Sequence, residues 1–252
     1  MTIFDDFATF YTLGSYPKYS LQMGINLAAV LEYFDVQPKD LLDLACGEGT
    51  FALAMVKRGL RVTGADRSPQ MLRIAEEKAR RAAANIEFVR ADFRSLPFES
   101  RFDLVTCWFD SLNYLLREED LEKTFLGVAR ALKEGGLFIF DMNTIYGLAV
   151  FRFPQICRIQ DDSPNLFIVH QHDYDHDTNI AEIRIVGFRR EGEHWIRMEE
   201  IHRERGYPLS SIRAALQNTG LKELACWGSL LEMSPSKPDS ARVYFILRKE
   251  AP

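Results

Sequence analysis

Ten residues, Leu41-Leu42-Asp43-Leu44-Ala45-Cys46-Gly47-Glu48-Gly49-Thr50, constrain this chain more than any others. An apolar run long enough for one strand stops at a glycine-rich turn, and an amphipathic helix begins at once. A buried parallel strand feeding a tight loop has this order, and glycines in such a loop let the backbone approach a ligand closely. Seventeen residues past Gly49 a second strand-like run, Leu60 to Ala65, ends in Asp66. An acid at that point can accept hydrogen bonds from both hydroxyls of a ribose. Together the two features predict a nucleoside-type cofactor site at the strand ends of an α/β sheet.

The flanking sequence continues the alternation. Residues 20–34 carry apolar side chains at helical spacing, which predicts a helix ahead of the first strand, 41–45. A helix over 50–58 and a strand over 60–65 follow, then a helix capped by Ser68 with Pro69 in its first turn. Strands are expected at 86–90 and 102–108, then a helix over 118–132 stopped by Gly135-Gly136, and a strand at 137–142. Strands and helices alternating in this way call for a parallel sheet covered on both faces. Past Asn143 the helical period disappears. The runs Leu166–Tyr174, Asn179–Arg189 and Glu193–Glu204 predict an inserted antiparallel meander. A helix capped by Ser210 and ending near Gly220, then strands at 222–227 and 242–248, would return the chain to the sheet edge as an antiparallel hairpin.

The glycine pattern is Gly47-x-Gly49, with Ala52 where the dinucleotide fingerprint G-x-G-x-x-G has its third glycine. The wording Asp43-Leu44-Ala45-Cys46-Gly47-x-Gly49-Thr50, followed by Gly64-Ala65-Asp66-x-Ser68-Pro69-x-Met71-Leu72, resembles the class I S-adenosylmethionine (SAM)-dependent methyltransferases. The resemblance spans roughly residues 1–142 and resumes near 207. It implies an α/β, Rossmann-like, seven-stranded, mostly parallel, doubly wound sheet with an antiparallel C-terminal hairpin. In this organisation 1–143 and 207–252 form the SAM-binding domain, and 144–206 form an inserted antiparallel β lid.

The resemblance also implies roles. SAM is the expected cofactor and S-adenosylhomocysteine its product. The backbone of the turn carrying Ala45, Cys46, Gly47 and Gly49 would meet the methionyl part, while Asp43 orders water or the amino group. Asp66 would take the ribose hydroxyls, with Arg67 and Met71 against the adenine. Ala91, Asp92 and Phe93 would frame the adenine, with Asp92 on its amino group. Cys107 and Trp108 would lie beneath the transferred methyl, and the N-terminal stretch with Tyr11, Tyr16 and Tyr19 is similar to a segment that folds over SAM. Each has a plainer alternative: Asp92 could cap a turn, Asp43 could satisfy loop amides, Met71 could be core, and the tyrosines could simply pack a helix onto the sheet.

Methyl transfer from a sulfonium is an in-line displacement, so the protein has to align a nucleophile, exclude water and supply a base where the nucleophile is protonated. The stretch Trp108-Phe109-Asp110-Ser111-Leu112-Asn113-Tyr114 lacks the Asn/Asp-Pro-Pro-Tyr/Phe motif of nucleobase and glutamine methyltransferases. It looks instead like the small-molecule subgroup, which includes sugar-amine and glycine/sarcosine N-methyltransferases. Asp110, Tyr19 and His202 are the expected catalytic residues, and Ser111, Asn113, Tyr114, Glu200 and Arg205 the expected substrate contacts. In a strand, Glu200, His202 and Glu204 share one face. A histidine between two carboxylates could accept a proton from an amine or hydroxyl. The same pattern also fits a solvated, ion-paired strand face.

His170-x-His172-Asp173-x-Asp175-His176-Asp177 has the composition of a metal site, but alternation separates its aspartates from His170 and His172, and no metal is expected there. Asp110, Asp141 and Asn143 offer oxygen ligands for magnesium as a minor alternative. The formal charge of −5, four scattered cysteines and no apolar run approaching ~18 residues predict a cytoplasmic protein with no membrane contact. Within 144–206 eight Lys/Arg stand against eleven Asp/Glu, which argues against a nucleic-acid platform. The expected partner is a small-molecule methyl acceptor beneath the lid, and the lid is also a candidate homodimer contact. Three alternatives stay open: a tRNA or protein methyltransferase, a catalytically silent SAM-binding regulatory subunit, and a nicotinamide-dependent oxidoreductase. The last fits poorly with Asp92-Phe93 and the two C-terminal strands.

Overall fold

The computed structural model describes residues 3–151 and 157–250. Strands β1 (Asp40–Leu44), β2 (Arg61–Asp66), β3 (Ile86–Arg90), β4 (Phe102–Cys107) and β5 (Leu132–Asn143) run parallel. Strands β10 (Leu221–Ser229) and β12 (Arg242–Lys249) join them antiparallel, and the two-residue β11 (Ser234–Pro235) lies outside β10. The order is β11-β10-β12-β5-β4-β1-β2-β3, eight strands where seven were expected. The order reverses between β1 and β4, so the crevice beyond their carboxyl ends is the natural ligand position in an open sheet.

Helices cover both faces. Helices α2 (Pro17–Tyr33) and α3 (Thr50–Val56) pack Leu27, Val30 and Phe51 on Leu41, Leu104 and Ile139. On the other face α5 (Glu118–Ala131) and α6 (Leu209–Leu216) pack Phe125, Val128 and Ile212 on Phe138, Phe140 and Phe245. Successive β5 residues point to opposite faces, so Leu137 and Ile139 serve one layer while Phe138 and Phe140 serve the other. Helix α4 (Pro69–Arg81) begins with the Ser68 cap, whose hydroxyl accepts from the Met71 amide at 3.2 Å.

Three local expectations are corrected. Gly135-Gly136 does not end a helix. Helix α5 stops when the fully buried Leu132 turns extended, and Gly135, at φ +73°, absorbs a register shift within β5. Helix α6 starts two residues earlier than a Ser210 cap predicts and is preceded by Pro208, so Ser210 sits in its first turn and makes no cap. The inserted sheet has four strands, not three: β6 (Cys157–Ser163), β7 (Leu166–Asp175), β8 (Ile180–Glu191) and β9 (His194–Arg205), in sequential antiparallel order. Strand β6 is a mostly exposed edge with no apolar alternation, so period-2 reading could not detect it.

One face of this sheet packs Ile168, Ile183, Ile185 and Met198 on Phe7, Phe10, Tyr11 and Met71, with Phe10 and Tyr11 in the short helix α1 (Ala8–Leu13). The other face carries cross-strand ion pairs such as Arg184–Glu199 and Arg203–Glu182. No helix among the described residues is long and apolar enough to cross a membrane.

Candidate active site

A cleft of about 250 Å³ opens at the carboxyl ends of β1, β2, β3 and β4. Its floor is the turn after β1, where Ala45, Gly47 and Gly49 all adopt left-handed backbone, with φ of +59°, +52° and +82°. Asp66, at the end of β2, accepts from the Gly47 amide at 2.9 Å and the Ser68 amide at 2.8 Å. Burial pushes its carboxyl above the usual range even though those amides oppose the shift. Asp43 Oδ2 is buried in the same cleft with no hydrogen-bond partner. Burial and the charge of Asp66 raise the Asp43 carboxyl well above the ordinary value. Asp92 caps the turn after β3 and is forked by the Arg94 guanidinium, which holds its carboxyl low.

The end of β4 is shaped by a carboxylate. Phe109 and Asp110 are successive left-handed residues, φ +64° and +51°, and their amides donate to the two oxygens of buried Asp141 at 2.7 and 3.0 Å. Two such conformations in a row are costly for side-chain-bearing residues unless the surroundings hold them. The Arg242 guanidinium bridges Asp141 and Asp110, and Asn143 Nδ2 donates to Asp110 at 2.7 Å and to Glu204 at 2.8 Å. This arrangement corrects the magnesium alternative, since a guanidinium supplies the counter-charge between Asp110 and Asp141.

A second cavity, about 270 Å³, lies between the N-terminal segment, the turn after β4 and the inner face of the inserted sheet. Strand register sets its roof in rows: His172, Ile183 and His202 in one, and His170 with Ile185 in its neighbour. Tyr16 Oη lies 2.7 Å from His170 Nε2. Tyr19 lines this cavity with its hydroxyl buried and unpartnered, and burial pushes that phenol well up. His202, 1% exposed, has Nδ1 2.8 Å from Tyr114 Oη and Nε2 2.9 Å from Glu200 Oε2. Phe4, Tyr11, Phe109 and Tyr114 line both cavities.

Residues 41–136 match the methyltransferase domain family model. A protein of Geobacillus sp. (strain WCH70), named as a methyltransferase, is 31% identical over 84% of this chain and 85% of its own length. This chain is a member of the SAM-dependent methyltransferase family. The crystal structure of an S-adenosylmethionine-dependent methyltransferase from Clostridium acetobutylicum superposes with a TM-score of 0.84 at 27% identity, over 99% of this chain and all of the other. The CcbJ methyltransferase from Streptomyces caelestis shares the fold at TM-score 0.80 and 18% identity, over 98% and 97% of the two chains. The enzyme's cofactor is SAM. The orphaned Asp43 oxygen and the two-acceptor Asp66 at the glycine turn suit its amino-acid and ribose ends.

Of the residues predicted for the methyltransferase's cofactor, Tyr11, Asp43, Ala45, Cys46, Gly47, Asp66, Arg67, Met71, Ala91, Asp92, Phe93 and Trp108 line the cleft. Three do not. A Cβ on Gly49 would lie 2.9 Å from Ala75 Cβ, so Gly49 serves the contact between the turn and α4. Cys107 is fully buried in the core, and Tyr16 belongs to the second cavity. Asp110, Tyr19 and His202 all line that second cavity. Among the expected substrate contacts Tyr114 lines both spaces and Ser111 lines the cofactor cleft.

The remaining three have other partners. Asn113 is buried between the backbones of Asn143 and Arg205. Arg205 donates to the Leu116 carbonyl and lies over Tyr207. Glu200 accepts from the amides of Phe4, Asp6 and Phe7 at 2.9 to 3.0 Å. Sequence reasoning missed Phe4 and Arg242, which carry no local motif. It set aside His170 and His172 as non-metal residues, yet their shared face was the signal for the cavity roof.

Proposed function

We propose that this methyltransferase moves the methyl group to a nitrogen or oxygen of a small-molecule acceptor held in the second cavity. The observation that carries the reading is the shared wall: Phe4, Tyr11, Phe109 and Tyr114 border both spaces, so a donor in one and an acceptor in the other meet there. When bound, SAM supplies an electrophilic methyl on a positively charged sulfonium. Asp66 would hold its ribose, Asp43 its amino group, and Arg67, Met71, Asp92 and Phe93 its adenine. The aromatic wall aligns the acceptor and keeps water from the reacting atoms, which is the main demand of an in-line transfer. Asp110, paired with Arg242, and Glu204, held by Asn143, border the acceptor side, Tyr19 Oη is a ready hydrogen-bond partner, and His202 is the proton sink. Residues 144–206 act as the acceptor-side subdomain on a cofactor-binding body formed by 1–143 and 207–252; 152–156 lie outside the described residues.

Calorimetry with SAM and S-adenosylhomocysteine, with Asp66→Ala as control, tests the cofactor half. Labelled methyl transfer to panels of small amines, hydroxy compounds and tRNA tests the acceptor half. Micromolar binding lost in the variant, with transfer to a small molecule, is the expected outcome. Absence of SAM binding, or transfer to tRNA or protein alone, overturns the proposal.

A further inference from the structure

His202 cannot meet an acceptor directly without breaking a bond it already makes, because Tyr114 and Glu200 occupy both ring nitrogens. Glu200 is an acceptor only, and it already takes three backbone amides of the N-terminal segment. The imidazole therefore donates from Nε2 to Glu200 and, when neutral, accepts at Nδ1 from the Tyr114 hydroxyl. The hydroxyl that contacts His202 thus belongs to a residue that borders both cavities.

Resting on the methyl-transfer reading above, we infer that Tyr114 Oη takes the acceptor's proton and hands its own to His202 Nδ1, in a relay that Glu200 holds together only while residues 4–7 are seated. The acceptor's lone pair forms the new bond to the methyl carbon, and the electron pair of the broken carbon–sulfur bond stays on sulfur. The acceptor's proton moves to Tyr114 Oη, the phenol proton moves to Nδ1, and the resulting imidazolium stays bonded to Glu200 through Nε2–H. Tyr114 is the catalytic residue; His202 and Glu200 act through it. The carboxylate that orients the imidazole also accepts from Phe4 and Phe7, both of which line the acceptor cavity. Opening the N-terminal segment to admit ligands therefore loosens the relay, and closing it assembles the base.

The test uses the full chain and three substitutions. Nitrogen-15 spectra of the histidine rings in the cofactor-free protein should show His202 protonated at Nε2, with an Nδ1 resonance that moves in Tyr114→Phe. Amide exchange at Phe4, Asp6 and Phe7 should accelerate at least tenfold in Glu200→Gln and stay unchanged in Tyr114→Phe. With an acceptor in hand, Tyr114→Phe should lower kcat by roughly 10²–10⁴-fold, the range for a lost general base, with KM for SAM unchanged. His202→Asn should lower kcat in the same sense. An Nδ1 resonance that ignores the Tyr114 hydroxyl, or a Tyr114→Phe enzyme with full kcat, overturns the relay. A wild-type protein that binds SAM yet methylates no small molecule overturns the functional reading instead.

Discussion

Arg242 Nη2 lies 2.8 Å from Asp110 Oδ1, tying the last strand of the sheet to the turn after β4 across 132 positions of chain. The other arm of the same guanidinium meets Asp141, whose carboxylate holds the left-handed Phe109–Asp110 pair through their amides. Arg242→Met leaves two buried carboxylates without their cation. Urea unfolding should register a loss of about 3–5 kcal/mol, the usual consequence of removing one partner of a buried pair. Adding Asp110→Asn to that variant should return part of the loss, because one of the stranded charges disappears. Full additivity of the two substitutions would contradict this account.

The surroundings of Asp43 disfavour its charged form. Its carboxyl is raised by burial and by Asp66, so the stability it contributes is present below the ordinary carboxylate pKa and declines as pH rises through the folded-state value. Asp43→Asn removes that loss. The cofactor-free variant should melt at a higher temperature than the wild type at pH 7 while binding SAM at least tenfold more weakly. Scanning calorimetry and titration calorimetry read the two effects separately, and a lower melting temperature would count against the assignment.

The two glycines of the turn have different reasons to be glycine. An added Cβ at Gly47 meets nothing within 4 Å, so Gly47→Ala pays only for its left-handed backbone, about 1 kcal/mol. At Gly49 the same conformation is combined with a Cβ 2.9 Å from Ala75 Cβ and 3.2 Å from its Cα. Gly49→Ala should therefore cost about 2–4 kcal/mol, adding an overpacking penalty to the backbone one. Denaturant midpoints of the two variants check the ordering.

Burial alone would raise the Glu200 carboxyl, but His202 and the amides of Phe4 and Phe7 outweigh it and hold it below the usual range. A carboxyl lowered in this way contributes stability above its unfolded value, ~4.3, and loses it as pH falls through the folded-state value. The N-terminal segment should thus keep its amide protection above the ordinary carboxylate value and lose it as pH falls from there through the folded-state value. In Glu200→Gln that acid step should be absent. Protection measured at matched intrinsic exchange rates across pH 3 to 6 decides it.

The cofactor half of the site was legible in the sequence because its parts are local. Each strand ends in the side chain that lines the cleft: Asp43 in β1, Asp66 at the end of β2, Asp92 just past β3 and Trp108 just past β4. Apolar runs locate the strands, and a parallel sheet brings their carboxyl ends to one edge. The same logic failed at Gly135-Gly136, where a buried Leu132 outweighed the local helix-stop signal.

What the sequence determined by itself, then, was the doubly wound sheet, the family and the cleft at the switch point. Alternation along β9 also put Glu200, His202 and Glu204 on one face. The partners of those residues came only from the tertiary structure. Glu200 could have faced a ligand or solvent, and it instead binds amides 193 to 196 positions away. Asp110 and Asp141 could have held a cation from solution, and Arg242 reaches them from the far end of the chain. A buried polar group has to be satisfied, but many donors can satisfy it. Only packing of the inserted sheet, the N-terminal segment and β12 against the parallel strands selected which one does.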